Sequence, residues 1–276
     1  MAIKLGSGAI AKLYLGATQI NKAYLGPTLI FGGASGPVGT APSAASVVSY
    51  WKLEDTTDSG PNGNDLTNGG ATSGVTGVIN NGYSFLAGDY MTDPSSTATY
   101  SFVKNTGVFT ISFWAKIDDY TADAFMFLIS NDTSSSASQG FDVAYENRSS
   151  QGSPQRLQLV VVKGTGGTTA FEIKLNSAIV DNEWHHYLFT GNGTSGTMKL
   201  YIDKEEQSPT VTFVGLATGN NANNLTIGGL ASAPTSFNWV GAIDEVLIAD
   251  ENYSQANVDY LYQTGTPGTA QQYPFT

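Results

Sequence analysis

The chain has no cysteine among its 276 residues. That absence excludes a disulfide scaffold, a thiolate zinc site and a cysteine nucleophile. It also makes the fold indifferent to redox conditions. Basic residues are scarce. Twelve Lys+Arg stand against 23 Asp+Glu, so the net charge is 12 − 23 = −11 and the pI is near 4.4. Such a chain is a poor partner for a phosphate backbone, and nucleic acid is not an expected ligand. No apolar run approaches the roughly 18 residues of a membrane-spanning helix, so no membrane insertion is expected. The opening residues MAIKLGSG lack a charged stretch followed by an apolar one. The expectation is therefore synthesis in the cytoplasm without a secretory leader.

What is present points to β-structure. Hydrophobic residues make up 41% of the chain, against 13% charged, which suits a packed globular protein. Glycine (32), tyrosine (14) and phenylalanine (13) are abundant. Short strands joined by many turns use such residues.

A tandem repeat opens the chain. Residues 11–20 read AKLYLGATQI and residues 21–30 read NKAYLGPTLI. Lys12/Lys22, Tyr14/Tyr24, Leu15/Leu25, Gly16/Gly26, Thr18/Thr28 and Ile20/Ile30 coincide at a period of ten. A degenerate copy runs from Leu5 to Ile10. Each unit reads as strand, glycine-centred turn, strand. About 30 residues rarely bury enough apolar surface to fold alone. Tyr14, Leu15, Tyr24 and Leu25 are thus candidate anchoring residues. Their partner is the same segment of other subunits, a larger particle, or the main domain. Residues 32–46, GGASGPVGTAPSAAS after Phe31, read as a linker. The repeat resembles short repeats near the start of bacteriophage tail-fibre and other virion proteins. The resemblance rests on KLYLGAT and KAYLGPT and covers about a tenth of the chain.

Strand signals fill residues 47–264. They fall at 47–53, 109–117, 125–129, 141–145, 157–162, 171–175, 184–190, 198–202, 225–227 and 240–248. In 109–117, Phe109, Ile111, Phe113, Ala115 and Ile117 share one face. One helix is expected, at 255–263, capped by Ser254 and ended near Gly265. This pattern predicts an all-β antiparallel β-sandwich. Residues 265–276 are left as a tail.

Four stretches resemble the laminin-G-like, concanavalin A-like jelly-roll superfamily. Tyr50-Trp51-Lys52-Leu53 with the Asp58 to Asn64 loop is similar to its opening strand and loop. FTISFWA at 109–115 is similar to a central strand. Glu183 to Tyr187 followed by Lys199 to Asp203 is similar to the adjacent hairpin. Gly241 to Val246 with Tyr253-Ser254 is similar to the closing strand and terminal helix. The resemblance implies a jelly-roll with a small β-repeat anchor before it.

Some members of that fold are glycosidases. The retaining glucanases carry Glu-x-Asp-x-x-Glu, which aligns two carboxylates on one face. Here position 242 is Ala and the first acid is missing, so no enzyme is expected. Asp203-Lys204-Glu205-Glu206 falls where the family makes a tight turn. His185 and His186 are adjacent and point to opposite faces, so they do not share a metal. The expectation is one packed inside the sandwich and one facing out. Gly164 to Gly167 lacks a following helix and Lys, and reads as a hairpin loop rather than a phosphate cradle.

The resemblance implies calcium between the opening loop and the closing strand, held by Asp58, Asn64 and Asp244. Calcium favours such hard oxygens. It also implies glycan binding through exposed aromatics and amides. The candidates are Tyr90, Tyr120 and Phe237, with Asn221 and Asn223 from the amide run 220–224. Trp239 reads as core. Two functions compete. One is a virion protein, tail fibre or capsid decoration, anchored to other virion proteins by its repeats and displaying a jelly-roll to host-surface glycans. A trimer is expected there by analogy. The other is a cellular or secreted carbohydrate-binding module. A glycoside hydrolase is the weaker third.

Overall fold

The computed structural model describes residues 13–15, 18–20, 22–25, 28–32, 39–119, 121, 124–132, 139–151, 156–163, 169–176, 181–262 and 272. The chain divides into two units, Met1–Val38 and Gly39–Thr276. In the first, β1 (Leu13–Leu15) pairs with β2 (Thr18–Ile20), and β3 (Lys22–Leu25) pairs with β4 (Thr28–Gly32). Leu15 opposes Thr18, and Leu25 opposes Thr28. The two copies therefore pair alike next to the turn, Tyr14 with Gln19 and Tyr24 with Leu29, but the second hairpin shifts register between Ala23 and Tyr24, so Ala23 opposes Phe31 where Leu13 opposes Ile20. The degenerate copy at 5–10 and the turn residues Gly16 and Gly26 lie outside the described residues, as do residues 33–38 of the expected linker.

The second unit opens with β5 (Val47–Trp51), β6 (Thr67–Asn68), β7 (Thr72–Thr76), β8 (Asn81–Phe85) and β9 (Met91–Thr92). A short helix α1 (Phe102–Asn105) precedes β10 (Phe109–Ile117), β11 (Phe125–Ser130), β12 (Gln139–Glu146), β13 (Arg156–Lys163) and β14 (Thr169–Asn176). Then come β15 (His185–Asn192), β16 (Thr197–Ile202), β17 (Glu205–Glu206), β18 (Thr210–Phe213), β19 (Thr226–Ile227), β20 (Gly241–Ala249) and α2 (Gln255–Tyr262).

These strands form two sheets. The first runs β17-β16-β15-β10-β20-β8-β7, with β5 also paired to β20. The second runs β18-β14-β13-β12-β11-β19-β9-β6. All their ladders are antiparallel. Alternation delivers Phe109, Ile111 and Phe113 from one sheet, and Phe141, Val143, Leu157, Leu159 and Phe171 from the other, into one core. The all-β jelly-roll sandwich expected from sequence is what forms. Trp239 is wholly buried, as its reading as core required.

The closing strand carries a bulge. Between Ser112 and Trp114 the register with β10 shifts, and Glu245 takes φ +53. On its other edge β20 pairs β8 through 241–243 and β5 through 246–249. The bulge marks the change of partner.

Three details differ from the sequence reading. Helix α1 was not expected, because four residues carry no helical period. His186 is the buried histidine, but it does not lie between the sheets. Tyr187 and Phe189 take the core face, so His186 points to the outer face, against Trp114 and Tyr262. Helix α2 covers that face, with Val258 and Leu261 packed on Tyr50, Leu188 and Leu247. In the stretch expected as linker, Thr40 donates its amide to Ala256 and accepts from the Asn257 side chain. Asp203 and Lys204, with φ +48 and +66, form the tight turn expected there. Gly164 to Gly167 and the tail, except Gln272, lie outside the described residues.

Candidate functional site

The metal-ligand residues fall in two places. Asp58 accepts from the amides of Tyr50 and Gly60 with Oδ1 and from the Asn64 amide with Oδ2. Asn64 donates from its side chain to Val48 and Ser49. Asp58 and Asn64 are thus brought together as a turn-fixing pair. Asp244 meets the amides of Val78 and Ile79 with Oδ2 and the Glu245 amide with Oδ1. The oxygens of both carboxylates are taken by backbone N–H groups. As arranged, these residues do not fit a shared cation. Burial, then the neighbouring Glu245, pushes Asp244 up to about 8.

A different polar site forms on the second sheet. β11 ends at Ser130 and runs into Asn131-Asp132, while β12 opens opposite them. Asn131 extends the ladder. Its amide donates to Phe141 O (3.0 Å), and its Oδ1 accepts the Phe141 amide (2.8 Å). Gly140 permits this closeness, since a Cβ there would sit 2.7 Å from the Asn131 carbonyl and Oδ1. The amide run lies across the same rim. Ala222 donates to Gln139 O, Asn223 to Asn131 O and Asn221 to Thr97 O.

Polar capacity is left over here. Asn221 is 5% exposed, and neither its Oδ1 nor its Nδ2 has a partner. Asn131 Nδ2, Asn223 Nδ2 and Asp142 Oδ1 are likewise unpartnered. Farther along the sheet so is Arg156 Nε. Among the described residues, six of the eight such buried atoms lie on this side of the molecule. Each buried polar atom left unmade costs about 1–3 kcal/mol. Burial first, and the charge of Asp132 second, raise the Asp142 carboxyl well above the usual carboxylate range. A close, buried acid pair is relieved by a shared proton or a hard cation.

The outer face of the same sheet continues the site. With Val143, Tyr145, Leu157 and Leu159 turned inward, Asp142 and Glu146 of β12 and Arg156 and Gln158 of β13 turn outward. Arg148 holds Glu146 at 2.7 Å and lays its guanidinium 4.6 Å over Phe125. Phe125 meets Phe237 edge-on at 6.4 Å, and Phe237 is 51% exposed. β11 therefore carries an aromatic step at its start and the polar rim at its end. They are five residues apart, about 17 Å along the strand.

Of the sequence-derived ligand residues, Asn221 and Asn223 lie at the rim and Phe237 on the aromatic step. Tyr90 is half-buried with its ring against Gly69. Tyr120 lies outside the described residues. Tyr14, Leu15, Tyr24 and Leu25 lie in β1 and β3. Sequence reasoning missed Asn131, Asp132, Asp142 and Arg156. The available signal was an Asn-Asp pair closing an apolar run. Among the described residues, no three His, Cys, Asp or Glu side chains group to hold a metal.

The profile of the concanavalin A-like lectin/glucanases superfamily matches residues 87–259. The chain belongs to that family. No curated protein matches the sequence. Among solved structures, the receptor binding domain of botulinum neurotoxin C/D mosaic serotype superposes with TM-score 0.60 at 14% identity, over 84% of this chain and 56% of that one. The botulinum neurotoxin serotype D ligand binding domain in complex with N-acetylneuraminic acid gives 0.59 at 14%, over 84% and 56%. Domain 4 of AbnA, a GH43 extracellular arabinanase from Geobacillus stearothermophilus, in complex with arabinotriose, gives 0.55 at 18%, over 80% and 98%. The chain thus spans a little over half of the neurotoxin domains. At these identities the likeness is one of fold.

Proposed function

We propose that the jelly-roll is a non-catalytic glycan-binding head, and that the second sheet's outer face and rim hold the glycan. The observation that carries this reading is the concentration of unpartnered, buried polar atoms at Asn131, Asp142, Arg156, Asn221 and Asn223. Buried amides and a guanidinium with free capacity suit hydroxyl-rich ligands, and Phe237 offers an apolar step for a sugar ring. Similar structures with an arabinotriose and an N-acetylneuraminic acid complex support it. Calcium, seated at Asp132 and Asp142, stiffens the rim in this reading. The test is a glycan array with the full chain, in calcium and in EDTA. Binding of a defined glycan, lost in Asn221→Ala and weakened at least tenfold in EDTA, is the expected result. Absence of binding across the array in both conditions overturns the glycan reading. EDTA-insensitive binding and melting overturn the calcium part alone.

The finer assignment is a virion structural protein, with residues 1–31 as attachment and assembly segment and host-surface glycans as target. Supporting it, the two repeats form separate hairpins that pair alike next to their turns, in a unit divided from the head. Immunogold labelling of purified phage particles is expected to decorate tail or capsid. Light scattering is expected to give a trimer for the full chain. Unlabelled particles, with the protein found instead in the secreted fraction, favour the cellular or secreted module.

A further inference from the structure

A second groove lies on the opposite side of the sandwich, on the outer face of the first sheet. Three neighbouring strands bring one outward residue each into a row. Tyr83 and Phe85, Ile243, and Ala115 and Ile117 all point into the core. Ser84, Ala242 and Lys116 therefore point out, and the register sets Ala242 opposite both Ser84 and Lys116. The middle member carries only a methyl group, so the row sinks to a trough. Trp184, immediately before β15, rises on the Lys116 side. Thr76 stands on the other side, and Asp118 lies just past the end of β10. Together they enclose about 210 Å³.

The walls are fixed and their polar groups are free. Trp184 is half-buried, its back packed on the Val78–Trp114 cluster. Among the described residues, the Lys116 ammonium, the Asp118 carboxylate, the Ser84 and Thr76 hydroxyls and the Trp184 indole N–H bond to no protein group. No ion pair joins Lys116 to Asp118. One donor cation and one acceptor anion leave no net charge to select an ion. A lone carboxylate does not make a metal site.

From this geometry we propose a second binding site, distinct from the second-sheet face, for a single pyranose ring of a neutral glycan. A sugar presents an apolar C–H face to an indole and hydroxyls that both donate and accept. Asp118 accepts from hydroxyls, Lys116 donates to them, and the Ala242 floor leaves the ring room. The volume is below the ~300–1,000 Å³ of sites for drug-sized ligands, which sets the limit at one ring. Few contacts and one ring give millimolar affinity.

The test titrates the ¹⁵N-labelled full chain with methyl glycosides of glucose, galactose, mannose and N-acetylglucosamine. The Trp184 indole and Lys116 amide signals are expected to move, in fast exchange, with at least one of them. Ala242→Leu, which fills the trough from the solvent side, is expected to abolish those movements at unchanged melting temperature. Asp118→Asn is expected to weaken the site about tenfold. The Asn221 and Phe237 signals report the other face separately, so failure of one site does not imply failure of the other. A Trp184 signal that stays still with every glycoside overturns the proposal. So does a movement that survives Ala242→Leu.

Discussion

At the scale of single residues, the two histidines show how one local pattern yields opposite chemistry. His185 is held by Asp203 (2.6 Å) through Nδ1 and by Asp181 (2.9 Å) through Nε2. These carboxylates, with the Asp203 hydrogen bond foremost, push its pKa up to about 9. His186 is buried beneath α2 beside Ser112 (2.8 Å), and burial lowers it to about 4. The sign for His185 follows from its unfolded value of about 6.5. Its stabilisation is fully present below pH 6.5 and is lost as pH rises through 9. Asp203 sits at φ +48, a conformation asparagine also adopts, so Asp203→Asn removes the charge without backbone cost. The variant is expected to melt several degrees lower at pH 6 and to lose much of its stability change between pH 6.5 and 9. Melting curves across that range check this. A slope equal to the parent's contradicts the assigned ion pair.

At the scale of elements, α2 explains why β10 is buried on both faces. Phe109, Ile111 and Phe113 fill the sandwich, while Trp114 stacks on Tyr262 at 5.5 Å. Leu261 and Val258 seat the helix. Leu261→Ala is expected to cost about 2–4 kcal/mol, the usual range for a buried leucine. Urea unfolding by fluorescence checks this, and a loss under ~1 kcal/mol means the helix is not integral to the fold. The alternation in 109–117 and the Ser254 cap made β10 and α2 legible from sequence. The outward Thr110, Ser112 and Trp114 were not legible as buried, because their cover comes from distant segments, β15 and the stretch from Glu251 through α2, about seventy to a hundred and fifty positions away. The rim was half legible. The run 220–224 announced its amides, but Asp132 and Asp142 meet only through strand pairing, which spacing does not reveal. Asp58 and Asn64 were read for their oxygens, but the fold spends the Asp58 oxygens on backbone amides and uses Asn64 as a donor to Val48 and Ser49.

At the scale of the whole molecule, charge is distributed unevenly. The first 46 residues hold three Lys and no acid, so the rest carries −11 − 3 = −14. Folding adds strain to this excess by burying acids. Burial foremost pushes Asp244 up to about 8 and Glu245 up to about 7, and it raises Asp142 as well. A native acid with a raised pKa keeps a proton that the unfolded chain has released. Stability then falls as pH climbs from about 4 through 8. His185 adds loss of the same sign up to about 9, while His186 acts oppositely below about 6.5, because the unfolded chain protonates first. Between about pH 4 and 6.5 the three raised acids outweigh the one lowered histidine, so the melting temperature is expected to peak near pH 4 and to fall above it. Glu245→Gln tests the alkaline limb. Glutamine keeps one oxygen to accept from the Gln272 amide, turns its NH2 to the Tyr50 hydroxyl oxygen as a donor, and removes the charge. Its melting temperature is expected to match the parent's at pH 5 and to exceed it by several degrees at pH 8.5. Equal melting temperatures at both values would mean that Glu245 titrates in the fold as it does in the unfolded chain, and that the bulge at 245 carries no protonation cost.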